Sequence, residues 1–319
     1  MNDAPDVRLL ARAGRVCLDQ ADALQQTLVR VHGAIPPPGS AAGGDERALL
    51  SMVRSQDRQR LWADCVLTAM HQGVHVADHV RSLGLLLSHV REQSAPVYAH
   101  ATLARGAVES AAWLRWLLAD GEPFPTRFGR GIALLIEDIG KAAHAAEQLS
   151  GKSYLPKPAL VEEHRKQELL GRLAAARIET TLNAPGTAVA AVRVNPTTDP
   201  IPVSRPVSGL VQDAFADLPA VYSLLSGVAH ARPWGLADSA QVIGRDASWR
   251  ADPVVVTNSV LICLLAAHRT AAIFAAYRGF PDDAGVQQMR RRHDDLDREL
   301  VTFGRRNGHL AVLRRPTST

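Results

Sequence analysis

Apolar residues recur at three- and four-residue steps along most of this chain. Val7, Leu10, Ala13, Val16 and Cys17 open the pattern, which is one face of a helix and predicts a helix over residues 6–32. The same period predicts helices near 45–71, 74–92, 96–119, 125–149, 156–182, 207–231, 252–278 and 281–303. Ser94 and Pro96 suit the cap and first turn of the helix at 96–119, and Gly121 and Pro123 end it. The fold class this predicts is all-α, an antiparallel multi-helix bundle of about nine helices. Helix content is expected above about 60%, well over the usual third, with almost no sheet.

Two stretches break the period. Residues 33–44 hold three prolines, four glycines and no charge, which reads as a linker. Residues 183–206 hold five prolines and include the β-prone run 187–194, which suits a short strand or an extended arm. The organisation expected is an N-terminal helical bundle over 1–182, a Pro-rich connection over 183–206, helices over 207–303 that pack back onto the bundle, and a basic tail over 304–319.

Composition narrows the class of protein. Of the 319 residues, 46% are hydrophobic and 21% charged, the balance of a folded globular chain. The formal charge is only +4 and the basic residues are interleaved with acids, except at Arg290–Arg292 and in the tail. Aromatic residues make up 5%, too few for a base-stacking platform, so no specific nucleic-acid partner is expected. Cys17, Cys65 and Cys263 match no metal or redox spacing and read as buried thiols of a reducing, cytoplasmic compartment. The most apolar stretch, 254–276, is interrupted by Asn258, Ser259, His268 and Arg269, so it reads as a core helix and no membrane partner is expected. Such a helix must be covered almost all round, by the bundle or by a second copy in a homodimer.

Three side-chain patterns could carry chemistry. Arg105 and Glu109 are four apart on an otherwise apolar helix, so they share a face that Trp113 and Trp116 continue. Tyr222, Ser226 and His230 also recur at steps of four, with Trp234 beyond. Burying either set alone would strand hydrogen-bonding groups, so the two stripes are expected to face each other. Together Arg105, Glu109, Tyr222, Ser226, His230 and Trp234 either staple the bundle or line a pocket for a small-molecule ligand. No Gly-x-Ser-x-Gly elbow surrounds Ser226 and no acid is evident to orient His230, which argues against nucleophilic catalysis. The third pattern is His71, His75 and His79, again one helical stripe, with the i, i+4 spacing of metal ligands. Gly151-Lys152-Ser153 lacks the earlier glycine of a phosphate loop, and Asp294, Asp295 and Asp297 lie among arginines that suit ion pairing. No cofactor is called for.

The runs Leu103–Ala112 and Trp116–Leu118, then Tyr222–His230 and Trp234, with Asp78-His79, resemble a group of uncharacterised actinobacterial all-helical proteins that pair an Arg-x3-Glu helix with a Tyr-x3-Ser-x3-His helix. More loosely the chain is similar to HEPN-type helical domains, which include RNA-cleaving toxins and non-catalytic relatives. Active members carry an Arg and a His a short spacer apart. Here the nearest Arg before His230 is Arg205, and Arg305 and His309 are too close together. The reading that follows is a cytoplasmic helical binding or regulatory protein. The alternative is an enzyme, either a HEPN-like ribonuclease relative or a metal-dependent helical enzyme built on His71, His75 and His79.

Overall fold

The computed structural model of the chain describes residues 5–90, 97–149, 159–232, 240–243, 246–249 and 251–307. About three quarters of it is helical. Among the described residues there are ten helices: α1 (Pro5–Gly33), α2 (Ala41–Ser51), α3 (Ser55–Ser88), α4 (Ala99–Leu117), α5 (Phe124–Gln148), α6 (Ala159–Ala175), α7 (Val207–Ala214), α8 (Val221–Ala229), α9 (Pro253–Arg278) and α10 (Ala284–Arg306). The all-α bundle expected from periodicity is what the chain forms. Ser94, Pro96, the Gly151–Ser153 run, Trp234 and the tail beyond residue 307 lie outside the described residues.

The core is a layered packing of long helices. α1 lies along α3 and α9, α4 packs on α3 and α9, and α10 closes over α1 and α9. α9 starts where the Asp252 carboxylate accepts from the Val254 and Val255 amides, with Pro253 in its first turn, and stops at Gly279 in the left-handed region. By length and composition α9 could cross a membrane, but here it is a core helix. Its cover comes from the chain's own α1, α3, α4 and α10. Gln20, fully buried on α1, donates to the carbonyls of Leu264 and Met289 and so ties α9 and α10 to the first helix.

Several boundaries differ from the periodic reading, each for a local reason. The stretches expected as separate helices at 45–71 and 74–92 are instead α2 and one continuous α3. Gly73, between the two expected helices, is a contact: a Cβ there would meet Leu28 Cδ1 at 2.8 Å, so the missing side chain lets α1 approach. The linker expected at 33–44 is shorter, because Ser40 caps α2 by accepting from the Gly43 amide at 3.1 Å. Arg278 donates to the His32 carbonyl at 2.9 Å beside that connection.

The helix expected over 156–182 ends at Ala175. Arg177 adopts φ 52°, and the Ile178 amide reaches back to the Leu173 carbonyl, the closing bond of a left-handed helix stop. The β-branched residues that follow then form β1 (Glu179–Leu182), which pairs antiparallel with β2 (Val189–Arg193), and β2 pairs with β3 (Ile201–Pro202). Asn183 Oδ1 accepts from the Thr187 and Ala188 amides and builds the turn between β1 and β2. So residues 187–194 do hold a strand, within a small sheet. A second hairpin pairs β4 (Ala240–Ile243) with β5 (Asp246–Trp249). Buried Arg58 of α3 anchors the larger sheet by donating to the carbonyls of Ala176, Arg177 and Val194. The helix expected over 207–231 is two helices, since Pro219 disfavours helix at the residue before it and Phe215 turns into the core.

Candidate functional site

Arg105 of α4 is the centre of the polar seam. Its Nε donates to Glu109 Oε1 at 2.7 Å, one turn along the same helix. Its Nη1 donates to His230 Nε2 at 2.6 Å, and Nη2 donates to the Tyr222 hydroxyl at 3.3 Å. The guanidinium carbon lies 5.4 Å from the Tyr222 ring centroid, a cation–π distance. The two stripes predicted to face each other therefore meet directly, with α4 packed against α8. Because Nε2 of His230 accepts from a cation, a neutral His230 carries its proton on Nδ1. Burial works to lower the Arg105 pKa, but the hydrogen bond and charge of Glu109 outweigh it and the shift is upward.

The seam also takes in part of the histidine stripe. His75 Nδ1 and Ser110 Oγ are 2.6 Å apart, joining α3 to the residue after Glu109. His79 donates from Nδ1 to the His75 carbonyl at 2.9 Å, and the two rings sit 4.2 Å apart between centroids. His79 covers Gly106, the residue after Arg105, and a Cβ there would collide with its imidazole. Burial, and then the charge of His79, pulls the His75 pKa below the ordinary imidazole value. Ser110 and Gly106 escaped the sequence reading, although both lie beside residues it singled out.

Two expectations are not met by this arrangement. Ser226 lies between Tyr222 and His230 on α8, yet its Oγ is buried with no hydrogen-bond partner in the seam. Among the described residues no group of three or more His, Cys, Asp or Glu side chains comes together to hold a metal, so His71, His75 and His79 do not assemble a ligand set. His71 lies one turn before His75 and is exposed.

A second arginine knot shows what a structural staple looks like here. Arg127 of α5 pairs with Asp45 of α2 through both carboxylate oxygens, and Tyr277 of α9 donates to Asp45 Oδ2 at 3.1 Å. Asp45 is 1%, Arg127 5% and Tyr277 6% exposed, so water does not reach this knot. Burial pushes the Asp45 carboxyl up against the pull of Arg127, and burial with the Asp45 charge pushes the Tyr277 phenol up, keeping it a donor. In the seam, by contrast, the side chains of Arg105 and Glu109 are 22% and 28% exposed, and His230 is open to solvent. Among the described residues, three of the five guanidinium N–H groups of Arg105 are engaged by protein.

No protein-family model, no curated protein and no solved structure matches this chain.

Proposed function

We propose that this chain is a cytoplasmic helical binding or regulatory protein, and that the seam between α3, α4 and α8 is its small-molecule site, taking a carboxylate or phosphate group. The observation that carries the reading is the state of Arg105. Among the described residues, Glu109, His230 and Tyr222 hold the guanidinium in place and engage one N–H of each terminal nitrogen, which leaves a second on each at the edge of solvent. Two such N–H groups form the planar fork that suits an oxyanion. A neutral His230, accepting from Arg105 at Nε2, keeps its Nδ1–H as a further donor. A knot needed only for stability would be closed and dry, as Asp45, Arg127 and Tyr277 are.

Calorimetric titration with inorganic phosphate, phenyl phosphate and benzoate tests this. Binding of at least one of them, lost in Arg105→Lys while the circular dichroism spectrum is unchanged, is the expected result. Lysine keeps the charge but not the fork. Failure of all three, or undiminished binding by the Lys variant, overturns the reading.

A second reading rests on the 2.6 Å contact between Arg105 and His230. It brings together, from distant parts of the sequence, the two residue types that active HEPN ribonucleases hold close in sequence. In that reading His230 moves a proton and Arg105 stabilises charge at phosphorus. Single-stranded RNA incubated with the protein in chelator would be cut, and His230→Ala would stop the cutting. Intact RNA sinks this alternative and leaves the binding reading standing.

A further inference from the structure

Away from the seam, α5 and α6 diverge over the three-stranded sheet and leave a cavity of about 800 Å3. That is the size of a pocket for a small organic molecule. Its walls are apolar: Ile136 and Ile139 from α5, Leu169 and Leu170 from α6, Val189 from β2 and Val203 just after β3. One charged side chain lies deep in this lining. Glu137 of α5 is only 10% exposed. Its Oε1 pairs with Lys141 Nζ at 2.8 Å, one turn along the helix. Its Oε2 is buried and has no partner among the described residues.

A buried carboxylate oxygen without a donor is an unfavourable arrangement. Native proteins pair nearly all such atoms. Lys141 does not remove the need, because its ammonium sits largely in water, 70% exposed, and meets only the other oxygen. The remaining charges of the lining are Glu147, Glu163 and Lys166, so the cavity carries a net negative charge around its apolar walls. The group that completes the site is therefore a hydrogen-bond donor, and the field favours one that is positively charged.

We infer that the cavity between α5, α6 and the three-stranded sheet is a binding site for an apolar amine, whose alkyl or aryl body lies among Ile136, Ile139, Leu169 and Val203 and whose ammonium donates to Glu137 Oε2. This site shares no residue with the Arg105 seam, and its ligand has the opposite charge. An anion on Arg105 and an amine on Glu137 are separate events, and either can fail alone.

The experiment compares three probes with the same tail: decylamine, decanol and decanoate, each titrated calorimetrically into the full chain below its micelle-forming concentration. Decylamine is expected to bind at least about tenfold more tightly than decanoate, a difference of about 1.4 kcal/mol. Glu137→Gln, which keeps the shape of the side chain, should abolish that preference while the thermal midpoint holds. Lys141→Met should move the preference the other way, since it frees the second oxygen for the ligand. Ile139→Trp, which fills the cavity, should weaken all three probes together. Equal binding of the three probes, no binding of decylamine, or a preference that survives Glu137→Gln would each overturn the inference.

Discussion

Asp45→Ala is the substitution that most directly tests how this bundle is held together. It removes the acceptor that two helices share: Arg127 of α5 loses both carboxylate contacts and Tyr277 of α9 loses its only recorded acceptor. Arg127 is left with the carbonyls of Ala119 and Glu122 and almost no access to water. Removing one partner of a buried ion pair costs about 3–5 kcal/mol. Stranding the Tyr277 hydroxyl adds about 1–3 kcal/mol, though the two effects belong to one network and do not sum fully. The expected loss is therefore about 4 kcal/mol, a large part of the 5–15 kcal/mol typical of a folded domain. Urea denaturation followed by far-UV circular dichroism measures it. In an Arg127→Met background the same substitution should cost markedly less, because no buried charge is then abandoned. A loss below about 1 kcal/mol for Asp45→Ala alone, or equal losses in the two backgrounds, would refute the argument.

Three further outcomes follow from burial elsewhere. Burial lowers the pKa of His100, and burial with the neighbouring Arg290 and His293 lowers that of His268. Both therefore bind protons more readily unfolded, so stability is full above the ordinary imidazole pKa near 6.5 and falls as the solution is acidified through and below it. The slope is at most about 1.4 kcal/mol per pH unit for each histidine, and urea midpoints at a series of pH values should show it flattened in His100→Gln. Burial pushes the thiols of Cys17, Cys65 and Cys263 well up, so a thiol-reactive disulfide reagent should label none of them natively and all of them in denaturant. Gly106→Val should displace His79 and lower the thermal midpoint by several degrees, while Gly140→Ala, which meets nothing within 4 Å, should not.

The long apolar periods were the legible part of this chain. α1, α4, α5, α9 and α10 begin and end within a few residues of where spacing and glycines put them. Local signals of another kind overrode periodicity at the rest. Arg177 takes a left-handed conformation that nothing in its side chain announces, and it alone converts the end of a helical pattern into a strand. Gly73 reads as a break but serves as a contact, because the partner that needs its missing side chain, Leu28, is far away in sequence. The seam was legible because each half carried polar residues at helical spacing amid apolar neighbours, and such groups need partners. Asp45 was not. It stands at the first residue of the helix expected over 45–71, just after the glycines and alanines read as a linker, and only the fold shows that Arg127 and Tyr277 converge on it. Glu137 was hidden for the opposite reason, since a Glu four residues before a Lys is the ordinary pattern of an exposed helix face.

On the proposed reading, the two arginine knots separate the tasks of holding the fold and meeting a ligand. Each sets an arginine between a carboxylate and a tyrosine, so composition alone does not distinguish them. Geometry does. Asp45 takes Arg127 through two oxygens and backbone carbonyls receive a terminal nitrogen, which leaves the guanidinium little left to offer. Glu109 takes only Nε of Arg105, and that is the one nitrogen whose loss leaves the terminal fork intact. Tyr222 in the first turn and His230 at the C-cap of the nine-residue α8 then hold the two terminal nitrogens. On the proposed reading, an oxyanion at Arg105 would act on the position of α8, because that helix and its C-cap residue supply two of the three groups that hold the guanidinium.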